Sequence, residues 1–248
     1  MTHEDAVKAR ISISKTPVIL CGPAGAAYLV AEGRRLVCIV RHGQTDWNTA
    51  RRLQGRENVP LNDEGRLLSV ECAKVFARVT EAGLSVAGFF TSPLERAKET
   101  AELISSEADL GALREEELLL ERDYGTLSGL TLEERQELRR RGVRGEGIES
   151  VGDTAARMKK ALASVVSRSS GDGATVVVTH GGMLNALFSQ ITRGRIGTGK
   201  NFSENCGVSL VAYGDDATIP LAYGLTGDLF ENYVKEYLDA KRALVEKL

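Results

Sequence analysis

At 248 residues, with 42% hydrophobic and 27% charged side chains, the chain has the composition of a soluble globular protein with a sizeable core. A net charge of −2 leaves no basic footprint for nucleic acid, so any anion site must be built locally from a few side chains. The uncharged stretch 18–31 has 14 residues and is broken by Gly22, Pro23 and Gly25, short of the about 20 that a membrane crossing needs.

The leader mixes Glu4 and Asp5 with Lys8, Arg10 and Lys15, which makes a poor signal peptide. Cys21, Cys38, Cys72 and Cys206 form no Cys-x-x-Cys pair, so reduced thiols and a cytoplasmic location are expected. Residues 1–35 stand apart as an N-terminal extension of unknown role, ahead of one domain over 36–248. Within the extension, 18–20 and 26–31 read as strands. Gly22-Pro23-Ala24-Gly25 reads as a plain turn with too few glycines for a dinucleotide fingerprint, and 32–34 as a hairpin turn.

The run 36–40, short, β-branched and uncharged, predicts a buried parallel strand that ends in Arg41-His42-Gly43. A basic loop over 49–55 follows. A helix then opens with Asn62 as its cap and runs inward through Leu68, Cys72, Val75, Phe76 and Val79 to about Gly83. Residues 88–91 read as a strand. Ser92-Pro93-Leu94-Glu95 has the pattern of a capping box with proline in the first turn, which puts Arg96 at a helix start.

Glu115, Glu116 and Glu117 read as a solvated face. Glu121 follows three leucines, where partial burial would raise a carboxyl pKa. Helices are expected over 131–141, 154–167, 182–191 and 228–246, and strands over 175–179, 207–213 and 219–223. Strands alternating with helices, without an internal repeat, predict a single α/β domain with a mostly parallel sheet. An unpaired edge of that sheet would allow a homodimer.

Two of the three histidines, His42 and His180, share one setting: each follows a strand and precedes glycine. Ligands of open α/β sheets bind at the carboxyl ends of strands, where Arg41, His42, Arg96 and His180 would gather. Two guanidiniums can grip the oxygens of an anion, and helix N-termini would add backbone donors and a positive dipole end. Within such a cationic cluster His42 would stay neutral and nucleophilic, and Glu121 is the choice for the proton donor. No group of His, Cys, Asp or Glu has metal-ligand spacing, so neither a metal nor another cofactor is expected.

Six motifs occur in order: Arg41-His42-Gly43-Gln44-Thr45-Asp46-Trp47-Asn48, Leu53-Gln54-Gly55-Arg56, Pro60-Leu61-Asn62-Asp63-Glu64-Gly65-Arg66, Thr91-Ser92-Pro93-Leu94-Glu95-Arg96-Ala97, Glu121-Arg122-Asp123-Tyr124-Gly125 and Thr179-His180-Gly181. Together, over about residues 36–215, they resemble the histidine phosphatase superfamily in its phosphoglycerate mutase-like branch. The resemblance implies a three-layer α/β/α sandwich and metal-free chemistry. It implies a phosphohistidine on His42, phosphoryl binding by Arg41, Arg96 and His180, and acid/base work by Glu121. It also implies a ligand site that includes Thr45, Asn48, Gln54, Gly55 and Gly181.

Mutases of that family carry a longer insertion between the acid and the second histidine, and typically Gly-Asn after that histidine. Here the intervening segment, 122–179, is 58 residues, and Gly181-Gly182 follows His180. Arg139, Arg140 and Arg141 fit a solvated helix end better than a bisphosphate grip. A phosphatase of small phosphorylated metabolites is therefore expected, with a phosphoglycerate mutase as the alternative. A non-catalytic phosphate-binding module on the same fold is a third reading, opposed by the five filled catalytic positions. Gly194-Arg195-Ile196-Gly197-Thr198-Gly199-Lys200 fits part of a P-loop pattern, but Asn201 replaces its Ser or Thr and no strand precedes it, so a loop is expected.

Overall fold

The expected strand at 36–40 forms as β2 (Arg35–Arg41), and the alternation of its side chains builds the layers. Leu36, Cys38 and Val40 enter one hydrophobic core, while Val37 and Ile39 enter another on the opposite face. The computed structural model describes residues 17–246; the leader charges and His3 lie outside the described residues.

Six further strands complete the sheet: β1 (Val18–Ile19), β3 (Val86–Thr91), β4 (Leu113–Glu115), β5 (Ala174–Thr179), β6 (Val208–Tyr213) and β7 (Thr218–Leu225). Their order is β1-β7-β6-β2-β5-β3-β4. β2, β5, β3 and β4 pair in parallel, β6 runs against β2, β7 against β6, and β1 against β7. Five of the seven strands thus point the same way, a mixed but mostly parallel sheet. The edge strands β1 and β4 are only two and three residues long, a length that limits pairing between copies.

Eight helices are described: α1 (Pro23–Ala31), α2 (Asp46–Thr49), α3 (Asp63–Glu81), α4 (Glu95–Glu107), α5 (Leu132–Arg140), α6 (Val151–Ser167), α7 (Gly181–Ile191) and α8 (Gly227–Val245). The first core takes Ala26 and Ala27 of α1, Phe76 and Val79 of α3, Ile104 of α4, and Phe230 and Tyr233 of α8. The second takes Met158 and Leu162 of α6 with Leu184 and Phe188 of α7. The result is a single-domain α/β/α sandwich. Phe76 and Phe230 meet with ring centroids 5.2 Å apart, and deleting either ring should cost about 3–5 kcal/mol.

Several local expectations are corrected. Residues 26–31 are helical, not a strand. Pro23 occupies the first turn, where its missing N–H is harmless, and alanines carry the helix onward. The turn expected at 22–25 is therefore that helix's start, and 32–34 joins a helix, not a strand, to β2. Asn62 caps α3 as expected, accepting from Gly65 N–H at 2.8 Å, though Leu68 and Cys72 are only half-buried. The capping box at Ser92 does not form: α4 starts at Glu95, whose N–H donates to Asn58 Oδ1 at 2.8 Å. Glu116 is not solvated. It is 8% exposed and accepts from Ser164 Oγ at 2.5 Å and Arg168 Nη1 at 2.9 Å.

Residues 194–200 form a loop after α7, with Gly194, Gly197 and Gly199 at positive φ. Arg139, Arg140 and Arg141 lie exposed at the end of α5. Among the described residues no helix is long and apolar enough to cross a membrane.

Candidate active site

β2 and β5 are adjacent and parallel, with Arg41 opposite Thr179, so the next residues of each strand stand side by side. His42 N–H donates to Thr179 O at 2.9 Å, and the rings of His42 and His180 lie 5.2 Å apart. β3 flanks β5 and delivers Ser92 to the same edge, and α4 then brings Arg96, which is fully buried. The sheet edge therefore assembles Arg41, His42, Arg96 and His180 for the reason the strand pattern anticipates.

His42 Nδ1 lies 2.7 Å from Gly43 O. A carbonyl only accepts, so Nδ1 carries the proton and Nε2 keeps its lone pair. Burial, then Arg96 and Arg41, pushes the His42 pKa well below the usual 6.5, which leaves the ring neutral at pH 7. His180 is pushed the same way by burial, Arg96, His42 and Arg41.

The two arginines are held by carbonyls. Arg41 Nη1 donates to Ser203 O at 2.6 Å and the Phe202 ring covers its guanidinium at 4.4 Å. Arg96 donates to Glu57 O at 2.7 Å and Gly55 O at 2.8 Å, and burial pulls its pKa down to about 10. Five buried side-chain polar atoms have no hydrogen-bond partner among the described residues. Four of them are Arg41 Nε, Arg96 Nε, His180 Nδ1 and Gln54 Oε1. Buried polar groups are normally satisfied, and two unpaired guanidinium N–H groups beside the unpartnered ring nitrogens of His42 and His180 call for an anion with several oxygens.

Glu121 is 7% exposed. The leucines before it do not define its surroundings, because its carboxyl caps α7. Oε1 accepts from Arg122 N–H at 2.7 Å and Met183 N–H at 3.2 Å, and Oε2 from Gly182 N–H at 3.1 Å. The N-terminal donors of α7, expected to face an anion, are thus engaged by Glu121. Gly182 makes this approach feasible, since a Cβ there would lie 2.5 Å from Glu121 Oε1 and 2.8 Å from the Tyr124 hydroxyl. Gly181 likewise lies against Arg41, with Nε 3.3 Å from a Cβ built on it.

Thr45 and Asn48 cap α2 reciprocally: Thr45 Oγ1 accepts from Asn48 N–H and Asn48 Oδ1 from Thr45 N–H. Asn48 Nδ2 takes no part in those bonds. Gly55 contributes the carbonyl that anchors Arg96, and its φ of +53° suits glycine.

Three supporting residues escape the sequence reading. Asn205 Nδ2 donates to His42 O at 2.9 Å and Gly43 O at 3.0 Å, bracing the carbonyl that orients the His42 ring. Arg157 grips Leu118 O, Leu120 O and Glu121 O while pairing with Glu149, which fixes the backbone under Glu121. Ser92 Oγ lies 2.8 Å from His180 Nε2. Ser92 belongs to a quoted motif, whereas nothing in the local sequence around Asn205 or Arg157 sets them apart.

Among the described residues no three His, Cys, Asp or Glu side chains group as metal ligands. A cavity of about 410 Å³ lies between α3 and the start of α8, lined in part by Cys72, Cys206 and Phe230; none of the histidines and arginines above lines it.

Comparison with known proteins gives a family model described as "Histidine phosphatase superfamily (branch 1)", which matches residues 37–226. An uncharacterized phosphatase PhoE of Bacillus subtilis is 33% identical over 163 residues, 64% of this chain and 78% of the relative. A 2,3-bisphosphoglycerate-dependent phosphoglycerate mutase of Azorhizobium caulinodans is 35% identical over 172 residues, 64% of this chain and 82% of the relative. The solved structure of a mycobacterial glucosyl-3-phosphoglycerate phosphatase complexed with VO3 superposes with a TM-score of 0.64. It covers 77% of this chain and all of the other, at 24% identity, a likeness of fold.

Proposed function

The chain belongs to branch 1 of the histidine phosphatase superfamily, and from that premise we propose that it is a metal-independent phosphatase of small phosphomonoesters. The observation that carries this reading is the set of buried atoms without partners, Arg41 Nε, Arg96 Nε and His180 Nδ1, around a nucleophile-ready His42. In the proposed cycle His42 Nε2 attacks phosphorus in line with the ester oxygen, and Arg41, Arg96 and His180 hold the equatorial oxygens. Glu121 gives its proton to the departing alkoxide, then takes one from the water that hydrolyses the phosphohistidine. Asn48, Gln54, Thr45, Gly55 and Gly181 border the ligand, Gly55 and Gly181 through backbone and close approach.

Hydrolysis is favoured over mutase action by Gly182. The glycine leaves space that the Glu121 carboxyl occupies, where mutases typically carry asparagine. Relatives of both kinds exist, so the assay must separate them. Incubated in EDTA with a panel of phosphorylated glycerates, sugars and amino acids, the chain should release inorganic phosphate. Isomerisation of phosphoglycerate primed by a bisphosphate, without net release, would make it a mutase; binding without turnover would make it a phosphate-binding module. A reducing, cytoplasmic setting belongs to this reading and accords with the buried thiols of Cys38 and Cys206.

A further inference from the structure

Ser92 lies fully buried between His180 and the start of α4. Its oxygen sits 2.8 Å from His180 Nε2 and 3.4 Å from Leu94 N, and a backbone N–H can only donate. A hydroxyl has one proton and two lone pairs. Leu94 N–H takes one lone pair; if a His180 Nε2–H took the other, the buried Ser92 proton would have no acceptor among the described residues, so that proton goes to His180 Nε2. Nε2 is then an acceptor, and the ring proton of a neutral His180 resides on Nδ1. That atom is buried and has no partner among the described residues. His42 carries the same tautomer for a different reason, the Gly43 carbonyl, and presents its bare Nε2.

We propose that Ser92 is a positioning residue that locks His180 as the Nδ1–H tautomer, so that an uncharged imidazole donates a hydrogen bond to the phosphoryl group; this rests on the phosphatase reading above. The pair of histidines then divides the work. One ring offers a lone pair to phosphorus and the other a proton to oxygen, although Arg41 and Arg96 oppose a positive charge on either. The assignment explains why Ser92 is not a helix cap. Its hydroxyl is directed across the sheet edge to a residue 88 positions away.

The tautomer can be read on the full chain at rest, by long-range proton–nitrogen correlation of the ¹⁵N-labelled imidazoles at pH 7.5. The expected result is a proton-bearing Nδ1 and a pyridine-like Nε2 on His180. A proton on Nε2 in the parent would overturn the proposal, whatever the variants do. Ser92→Ala should let His180 populate the other tautomer, weaken vanadate inhibition and lower kcat, each by roughly three- to tenfold for one lost hydrogen bond. Ser92→Thr, which keeps the hydroxyl, should restore the Nδ1–H signature. A Ser92→Ala protein that loses inhibitor affinity yet keeps the parent tautomer would reduce Ser92 to a packing residue. A parent with the expected tautomers but no phosphohistidine would overturn the phosphatase reading, not the Ser92–His180 assignment.

Discussion

Replacing Gly182 by alanine should leave the fold standing and disable the proposed acid. The new Cβ would lie 2.5 Å from Glu121 Oε1 and 2.8 Å from the Tyr124 hydroxyl, whereas ordinary contact begins at 3.4 Å. The carboxyl is the end of a flexible side chain, so it must withdraw, giving up its bonds to Gly182 and Met183 N–H. Losing two such bonds costs about 1–3 kcal/mol together, while alanine in place of glycine returns up to about 1 kcal/mol of helix propensity. Stability should therefore fall by no more than about 3 kcal/mol. Catalysis should suffer more, because a displacement of about 1 Å in a reacting group can cost about 10²-fold in rate. The assay compares kcat/KM on a glycerate or sugar phosphate with that on nitrophenyl phosphate, alongside thermal unfolding. A loss near 10²-fold is expected for the alkyl ester, whose leaving oxygen needs a proton, and much less for the nitrophenyl ester. Parent-like turnover of the alkyl ester, or an equal loss on both, would refute the reasoning that Glu121 works from this position.

Asn205→Ala should lower kcat by roughly three- to tenfold with KM little changed, because the brace on Gly43 O is lost and not a contact with substrate; a KM-only effect would contradict that role. The depressed pKa values of His42 and His180 carry a pH signature. Between 6.5 and the folded values the unfolded chain binds more protons, so stability falls as pH drops below about 6.5. The slope is up to about 1.4 kcal/mol per pH unit for each histidine. Urea unfolding at pH 7.5 and 5.5 should show it, and a His42→Gln/His180→Gln chain with an equally steep dependence would dismiss it. Glu116→Gln should destabilise the chain by about 1–3 kcal/mol through its contacts to Ser164 and Arg168, whereas Glu115→Gln should not; equal melting temperatures would contradict this.

The strands that carry the histidines were legible because buried parallel strands leave short β-branched runs, and both 36–40 and 175–179 are of that kind. Asn62 was legible as a cap because capping is a local bond, three residues in reach. Residues 26–31 were not: Tyr28, Leu29 and Val30 favour a strand by composition, and Pro23 at the first helical position with four alanines outweighs them. Ser92 matched a capping pattern, but the same hydroxyl serves His180, a contact no local window contains. Arg157 and Glu116 resemble solvated surface charges until α6 brings Arg157 under Glu121, and Ser164 and Arg168 against Glu116. Glu121 itself was legible as a position, but its seat on the first turn of α7 was not, because it depends on Gly182 having no side chain.

Covalent chemistry at His42 is tested most directly by trapping it. The chain is mixed for milliseconds with a ³²P-labelled phosphomonoester in EDTA, quenched in alkali, and digested. An acid-labile, base-stable label is expected on Nε2 of His42, absent from His42→Ala, which should also lose several orders of magnitude in turnover. Label on a serine or cysteine, or a His42→Ala chain that turns over like the parent, would contradict it.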